Sequence, residues 1–378
     1  MTLDLVVRGG TIVDGSGAAR FSGDVGIKDG RVVAIGVVDE SASEVIDATG
    51  KSLMPGLVML HEHLYYPTGP GVYGQLGASF IRLYLAGGVT TIGLVYDGGI
   101  FPGRVGVAHT AARGAGPLTL KTDAGQVIAF GNKRGGVYPA TGIGAVAYIR
   151  QAILDAQYEA RVDKAFKAGI PGGRPAADPF RRALMPMATN DMSAWFVAAT
   201  ERQLVRASEI AKEMGLKSPV VVGASEGWRV IPNLKAMGAT AVVSLQFMSP
   251  DSVTGREFLA VGMGKTGYAP PATAADTAEV RGNAGALAKA GVPVALASFG
   301  GESGATFRDR IRMAIAAGLS ADDALKAATV TPAAVLGVTA AVGTIEVGKL
   351  ANFVVVTGND LFAAGTPIKH VFVEGRLY

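Results

Sequence analysis

Two strand-rich ends bracket a long middle in which strand-like and helix-like segments alternate, and few folds accept that arrangement. Near the start, Leu5-Val6-Val7-Arg8, Thr11-Ile12-Val13 and Asp24-Val25-Gly26-Ile27 are short and rich in β-branched residues, as strands are. Asp29-Gly30 separates Gly26-Ile27-Lys28 from Arg31-Val32-Val33-Ala34-Ile35. Both central residues of a type I′ turn need positive φ, which Asp-Gly tolerates, so a hairpin is predicted there. Val45-Ile46-Asp47 adds a short strand. The pattern returns in Gly343-Thr344-Ile345-Glu346, in 352–356 and in 368–373, with a turn at Glu374-Gly375-Arg376. Residues 1–55 and 343–378 are expected to form one small β-domain.

In the middle, Leu57-Val58-Met59-Leu60-His61 is a buried-type strand, Gln75 to Ala86 a helix and Val89 to Val95 a strand. Ala194 to Ala198 is strand-like. Thr200-Glu201-Arg202-Gln203 is a capping box opening a helix to about Met214. Strands at 219–223, 241–245 and 293–297 alternate with helices at 228–237, 278–290 and 305–317. Alternating β and α with buried strands implies a parallel sheet covered by helices. With 378 residues, 49% of them hydrophobic, a closed (β/α)8-type barrel over residues 56–342 is favoured. Residues 131–181 break the rhythm with two Gly-rich stretches around a helix-like run from Ile143 to Phe166. They read as an inserted segment, a lid over one face of the barrel. Residues 249–275 read as a second long loop.

The net charge of +4, from 35 basic and 31 acidic residues, is small and unclustered, so nucleic acid is not an implied partner. Without cysteine there is no disulfide framework and no thiolate ligand or nucleophile. No signal peptide opens the chain, which fits a cytoplasmic or a mature periplasmic protein. No apolar run approaches the roughly 20 residues of a membrane span. A homo-oligomer is a base-rate expectation.

The chain has four histidines: His61, His63, His109 and His370. His61-Glu62-His63 ends the strand that starts at Leu57. Positions two apart share a face of a strand, so both imidazoles would point the same way. In an α/β barrel that end of the strand is where active sites lie. Two neutral imidazoles on one face are half of a divalent metal site; the bland alternative is two hydrogen-bonded scaffold histidines. Asp97, Glu226 and Glu302 each follow a predicted strand. One of them with His61 and His63 would make three ligands and an open position, as catalytic zinc requires; taken singly, each is more simply a solvated loop carboxylate. Lys121 and Lys133 lack a clear strand context. Glu62 should point away from the histidines and reads as structural. His109 is taken as a surface residue beside Arg104 and Arg113, and His370 falls in the terminal β-domain. Tyr65, Tyr66, Tyr96 and Trp228 are candidates to line the mouth.

Met54-Pro55-Gly56-Leu57-Val58-Met59-Leu60-His61-Glu62-His63 follows a β-rich segment containing Val7-Arg8-Gly9-Gly10-Thr11-Ile12-Val13-Asp14-Gly15. With Gly88-Val89-Thr90-Thr91, Ala324-Leu325-Lys326-Ala327-Ala328-Thr329, Pro332-Ala333 and the run from Gly343 to Ala351, these resemble the amidohydrolase superfamily over nearly the whole chain. Tyr138-Pro139-Ala140-Thr141-Gly142-Ile143-Gly144 through Ile149-Arg150-Gln151 resembles its imidazolonepropionase-like branch. The resemblance implies a β-sandwich from both termini, a distorted TIM-like (β/α)8 barrel and hydrolysis of amide, cyclic amide or related C–N bonds. It also implies a metal set of His-x-His, often a strand-4 Lys or Glu, two further histidines and a strand-8 Asp. The metal activates a water and the Asp takes its proton.

The chain departs from that set. Val197 falls where the strand-5 histidine is expected, Val220-Val221-Val222-Gly223 has no strand-6 histidine, and Ser298 or Phe299 takes the aspartate's place. No histidine lies between residues 110 and 369. The ordinary binuclear site is therefore absent. Two readings follow. One is a C–N hydrolase with a reduced site, holding one divalent metal, zinc by its ligand types, or none, and acting on a small-molecule substrate. The other is a catalytically degenerate or metal-free homologue that binds a small molecule or a partner.

Overall fold

The computed structural model describes residues 2–62, 65–69, 72–75, 83–94, 100–101, 103–110, 119–130, 139, 141–170, 178–247, 274–298 and 304–378. The chain forms two compact units. One comprises Met1–Leu94, Gly106–Thr122 and Val294–Tyr378; the other comprises Val95–Val105 and Asp123–Pro293.

In the first unit both chain ends share one eight-stranded sheet. Its strands are β1 (Leu3–Ile12), β2 (Phe21–Lys28), β3 (Arg31–Gly36), β4 (Ala42–Asp47), β5 (Lys51–Pro55), β17 (Phe353–Thr357), β18 (Ile368–Val373) and β19 (Arg376–Leu377). The order is β19-β18-β17-β5-β1-β2-β3, with β4 parallel beside β1. Asp29 and Gly30 take φ of 49° and 77°, as the I′ hairpin demands, and close β2 on β3. The two runs expected as separate strands, 5–8 and 11–13, are one strand carrying a bulge between Val7 and Gly10. Gly9 at φ 66° lets the chain pass, and Asp24 takes up the slack by accepting its amide at 2.9 Å. The expected strand at 343–346 does not form. Gly343 at φ 102° breaks the extended path and Lys349 folds back onto Glu346 at 2.9 Å. Ile345 still reaches the core, with its amide on the Asp14 carbonyl at 3.0 Å. Phe353 and Phe372 face each other across β17 and β18 with ring centroids 4.6 Å apart, an aromatic cross-strand pair that fixes their register.

The same unit holds β6 (Leu57–Glu62), parallel to both β9 (Val89–Leu94) and β16 (Val294–Ala297). From β9 the sheet continues antiparallel through β10 (Gly106–His109) to β11 (Thr119–Lys121). Leu60 packs towards Gly93 and Leu336, so one face of β6 meets the helix Val330–Leu336. The helix expected from Gln75 does not begin there. Val72–Gln75 is strand β8, paired antiparallel with β7 (Tyr65–Gly69), and helix is described at 83–86.

In the second unit β12 (Gly125–Ala129), β13 (Ser193–Ala198), β14 (Val220–Gly223) and β15 (Thr240–Ser244) lie side by side and parallel. Helices Glu201–Met214 and Ile231–Ala236 make the crossovers that parallel neighbours require. All four residues of β14 are buried, as strands covered on both faces are. The capping box forms as read: Thr200 Oγ1 accepts the Gln203 amide and Gln203 Oε1 the Thr200 amide. The inserted segment contains a 26-residue helix, Gly142–Lys167, whose Thr141 cap accepts the Gly144 amide at 3.1 Å. The fold is mixed α/β in both units.

Candidate functional site

Of the site expected from sequence, the described part in the first unit lies at the carboxyl ends of β6 and β16. Ala297 pairs with Leu60, so the next residues along the two parallel strands, Ser298 and His61, occupy adjoining positions. Ser298 is fully buried. His61 lies within β6, while His63, Asp97, Phe299 and Glu302 fall outside the described residues, as does Lys133. Among the described residues no three His, Cys, Asp or Glu side chains cluster as a metal site would need.

Val197 is half-buried in β13, paired with Val222 of β14. Neither strand contains a histidine, so neither offers an imidazole ligand. With Ser298 at the end of β16, the described residues do not fit a binuclear metal set, and no step can be routed through one here.

Glu226 does follow β14, yet its carboxylate is already engaged. Oε2 accepts the backbone N–H of Glu201 at 2.6 Å, at the amino end of the helix Glu201–Met214. A carboxylate there satisfies one of the helix's free amides and complements its dipole. The Ala224–Trp228 loop is further fixed by Asn283, which is fully buried. Its Nδ2 donates to the Ala224 carbonyl at 2.7 Å and its Oδ1 accepts the Trp228 amide at 3.0 Å. Sequence reasoning missed Asn283, since an asparagine within a helix carries no signal of what it will meet. Trp228 is partly exposed, its ring 5.3 Å from the Arg229 guanidinium. Tyr65 and Tyr66 lie in β7, and Tyr96 is outside the described residues.

Two other expectations are corrected. Lys121 has a strand context, β11, but its ammonium donates to the Leu336 carbonyl at 3.2 Å and so serves a helix end. His109 is not a surface residue. It ends β10, is 2% exposed, and meets Asn352 and Glu374 at 3.3 Å each. The run Gly106-Val107-Ala108-His109 is apolar and glycine-bounded, a strand signal that was available in the sequence. His370 sits in β18, partly buried beside Phe372, with its pKa pushed down by burial and by Lys51 and Lys369. A groove of about 250 Å³ in the second unit is lined only by residues of the helices Gly142–Lys167 and Glu201–Met214, among them Ile143, Arg150, Arg206 and Ile210, with no strand-end residue.

Residues 274–378 match the model of the amidohydrolase family. An amidohydrolase from Thermotoga maritima MSB8 shares the fold, with a TM-score of 0.80 at 23% identity over 99% of both chains. Dihydroorotase of Pelotomaculum thermopropionicum is 39% identical over 66 residues, 17% of this chain and 16% of that protein. D-hydantoinase of Ralstonia pickettii is 33% identical over 90 residues, 24% and 19% respectively. The matched stretches span between 11% and 21% of the lengths of such curated relatives.

Proposed function

We propose that this chain is a hydrolase of C–N bonds in amides or cyclic amides, working from a reduced site built on His61 and His63. In this reading residues 56–342 form a distorted (β/α)8 barrel of the imidazolonepropionase-like branch, with a β-sandwich from 1–55 and 343–378. The observation that carries it is the Ala297–Leu60 pairing, which sets the ends of β6 and β16 side by side. The names of the similar proteins, dihydroorotase and D-hydantoinase, suggest cyclic amides as first substrates to try.

His61 and His63 would hold one divalent ion, zinc by ligand type, and Asp97 or Glu302 is the better third ligand because Glu226 is bound to the Glu201 amide. A bound ion would supply Lewis acidity and activate water. With Ser298 or Phe299 in place of the superfamily's proton-accepting Asp, proton transfer would fall to another group. The test is hydrolysis of a panel of dihydropyrimidines, hydantoins and N-acyl amino acids. Turnover lost in a His61→Ala, His63→Ala variant supports the proposal; turnover by neither protein on any member counts against it.

A second reading, a non-hydrolytic small-molecule binder, is favoured by the absence of histidine from β13 and β14 and by Ser298 or Phe299 in the expected aspartate's place. Binding of the same amides without turnover would select it.

A further inference from the structure

His109 is buried at the end of β10 with no part in the proposed site, and it touches two polar partners distant in the sequence. The Glu374 amide donates to Asn352 Oδ1 at 2.7 Å. That bond orients the Asn352 side chain, so its Nδ2, which can only donate, faces His109 Nδ1 at 3.3 Å. In a neutral ring so placed, Nδ1 accepts and the proton is on Nε2. Nε2 lies 3.3 Å from Glu374 Oε1 but without the alignment of a hydrogen bond.

Among the described residues, Glu374 is the charged group facing the ring. The segment before β17 presents Asn352, and β9 presents the backbone of Thr90, neither of them charged. Burial pushes the imidazole below its ordinary value, against the opposing pull of Glu374 and of the Thr90 backbone. Protonation would add an N–H at Nδ1 that meets the Asn352 N–H head on, and the Asn352 side chain would have to turn. Its Oδ1 would then leave the Glu374 amide. Glu374 sits at φ 49° in the β18–β19 turn, a conformation that a non-glycine residue keeps only while its surroundings hold it.

We propose that His109, Asn352 and Glu374 form a pH-sensitive latch, which clamps the β18–β19 turn to β10 while the imidazole is neutral and releases it when the ring is protonated. The sign follows from linkage. A histidine whose folded pKa is depressed contributes its full stabilisation above the unfolded value, near 6.5, and loses it as pH falls towards the folded value.

The test is hydrogen exchange of the Glu374 amide, corrected for its intrinsic rate, in the full chain at pH 7.5 and 5.5. If the released ring titrates near 6.5, protection should fall about tenfold between those values. His109→Asn keeps an acceptor for Asn352 and does not titrate, so its protection should not change with pH. Asn352→Asp replaces the opposing donor with a carboxylate that welcomes the protonated ring. It should hold or raise protection at pH 5.5. A flat profile in the parent chain, or the same tenfold loss in either variant, overturns the latch.

Discussion

The Glu226 carboxylate accepts the Glu201 amide at 2.6 Å, which joins the loop after β14 to the start of the helix after β13. This makes Glu226 a structural residue first. Glu226→Ala should destabilise the chain by about 1 kcal/mol, while Glu226→Gln, which keeps an acceptor, should lose less. Urea unfolding of the two variants measures this. Unchanged metal content in Glu226→Ala would also remove it from the candidate ligands.

Asn283→Ala should be costlier, at about 1–3 kcal/mol, because it takes away the acceptor of the Trp228 amide and one of two donors to the Ala224 carbonyl, which keeps the Gly227 amide at 3.0 Å. The change should also appear in the Trp228 fluorescence, since Trp195, the other tryptophan, is buried at a distinct place in β13. A variant as stable as the parent would show that the loop holds itself.

Gly87 and Gly304 touch backbone to backbone. A Cβ on Gly87 would overlap the Gly304 carbonyl carbon, and one on Gly304 would lie 2.8 Å from the Gly87 Cα. Because backbone cannot yield as a flexible side chain does, Gly87→Ala should cost about 1–3 kcal/mol. Gly142→Ala is the control. It meets open space at the first position of a long helix and should be neutral or slightly stabilising. Thermal unfolding of both would separate close packing from a general intolerance of alanine.

Much of this was legible in the sequence because it depends on local chemistry. Asp29-Gly30 specified its turn, Thr200 and Gln203 their capping box, and the apolar runs of β13 to β16 their burial. What was not legible depends on partners distant in the chain. His109 sat in a short strand whose meaning came from Asn352 and Glu374, more than 240 residues away. Glu226 read as a free strand-end carboxylate until the neighbouring helix supplied an amide. Gly343-Thr344-Ile345-Glu346 had the composition of a strand, but Gly343 at φ 102° took it out of the sheet. The absence of any histidine between residues 110 and 369, by contrast, was a matter of counting.

The most direct test of the central claim is the metal content of protein purified without added metal, measured beside the His61→Ala, His63→Ala variant. The proposal predicts close to one equivalent of divalent metal in the parent and none in the variant. If both are empty and equally stable, the histidine pair binds no metal, and the reduced-site hydrolase is contradicted.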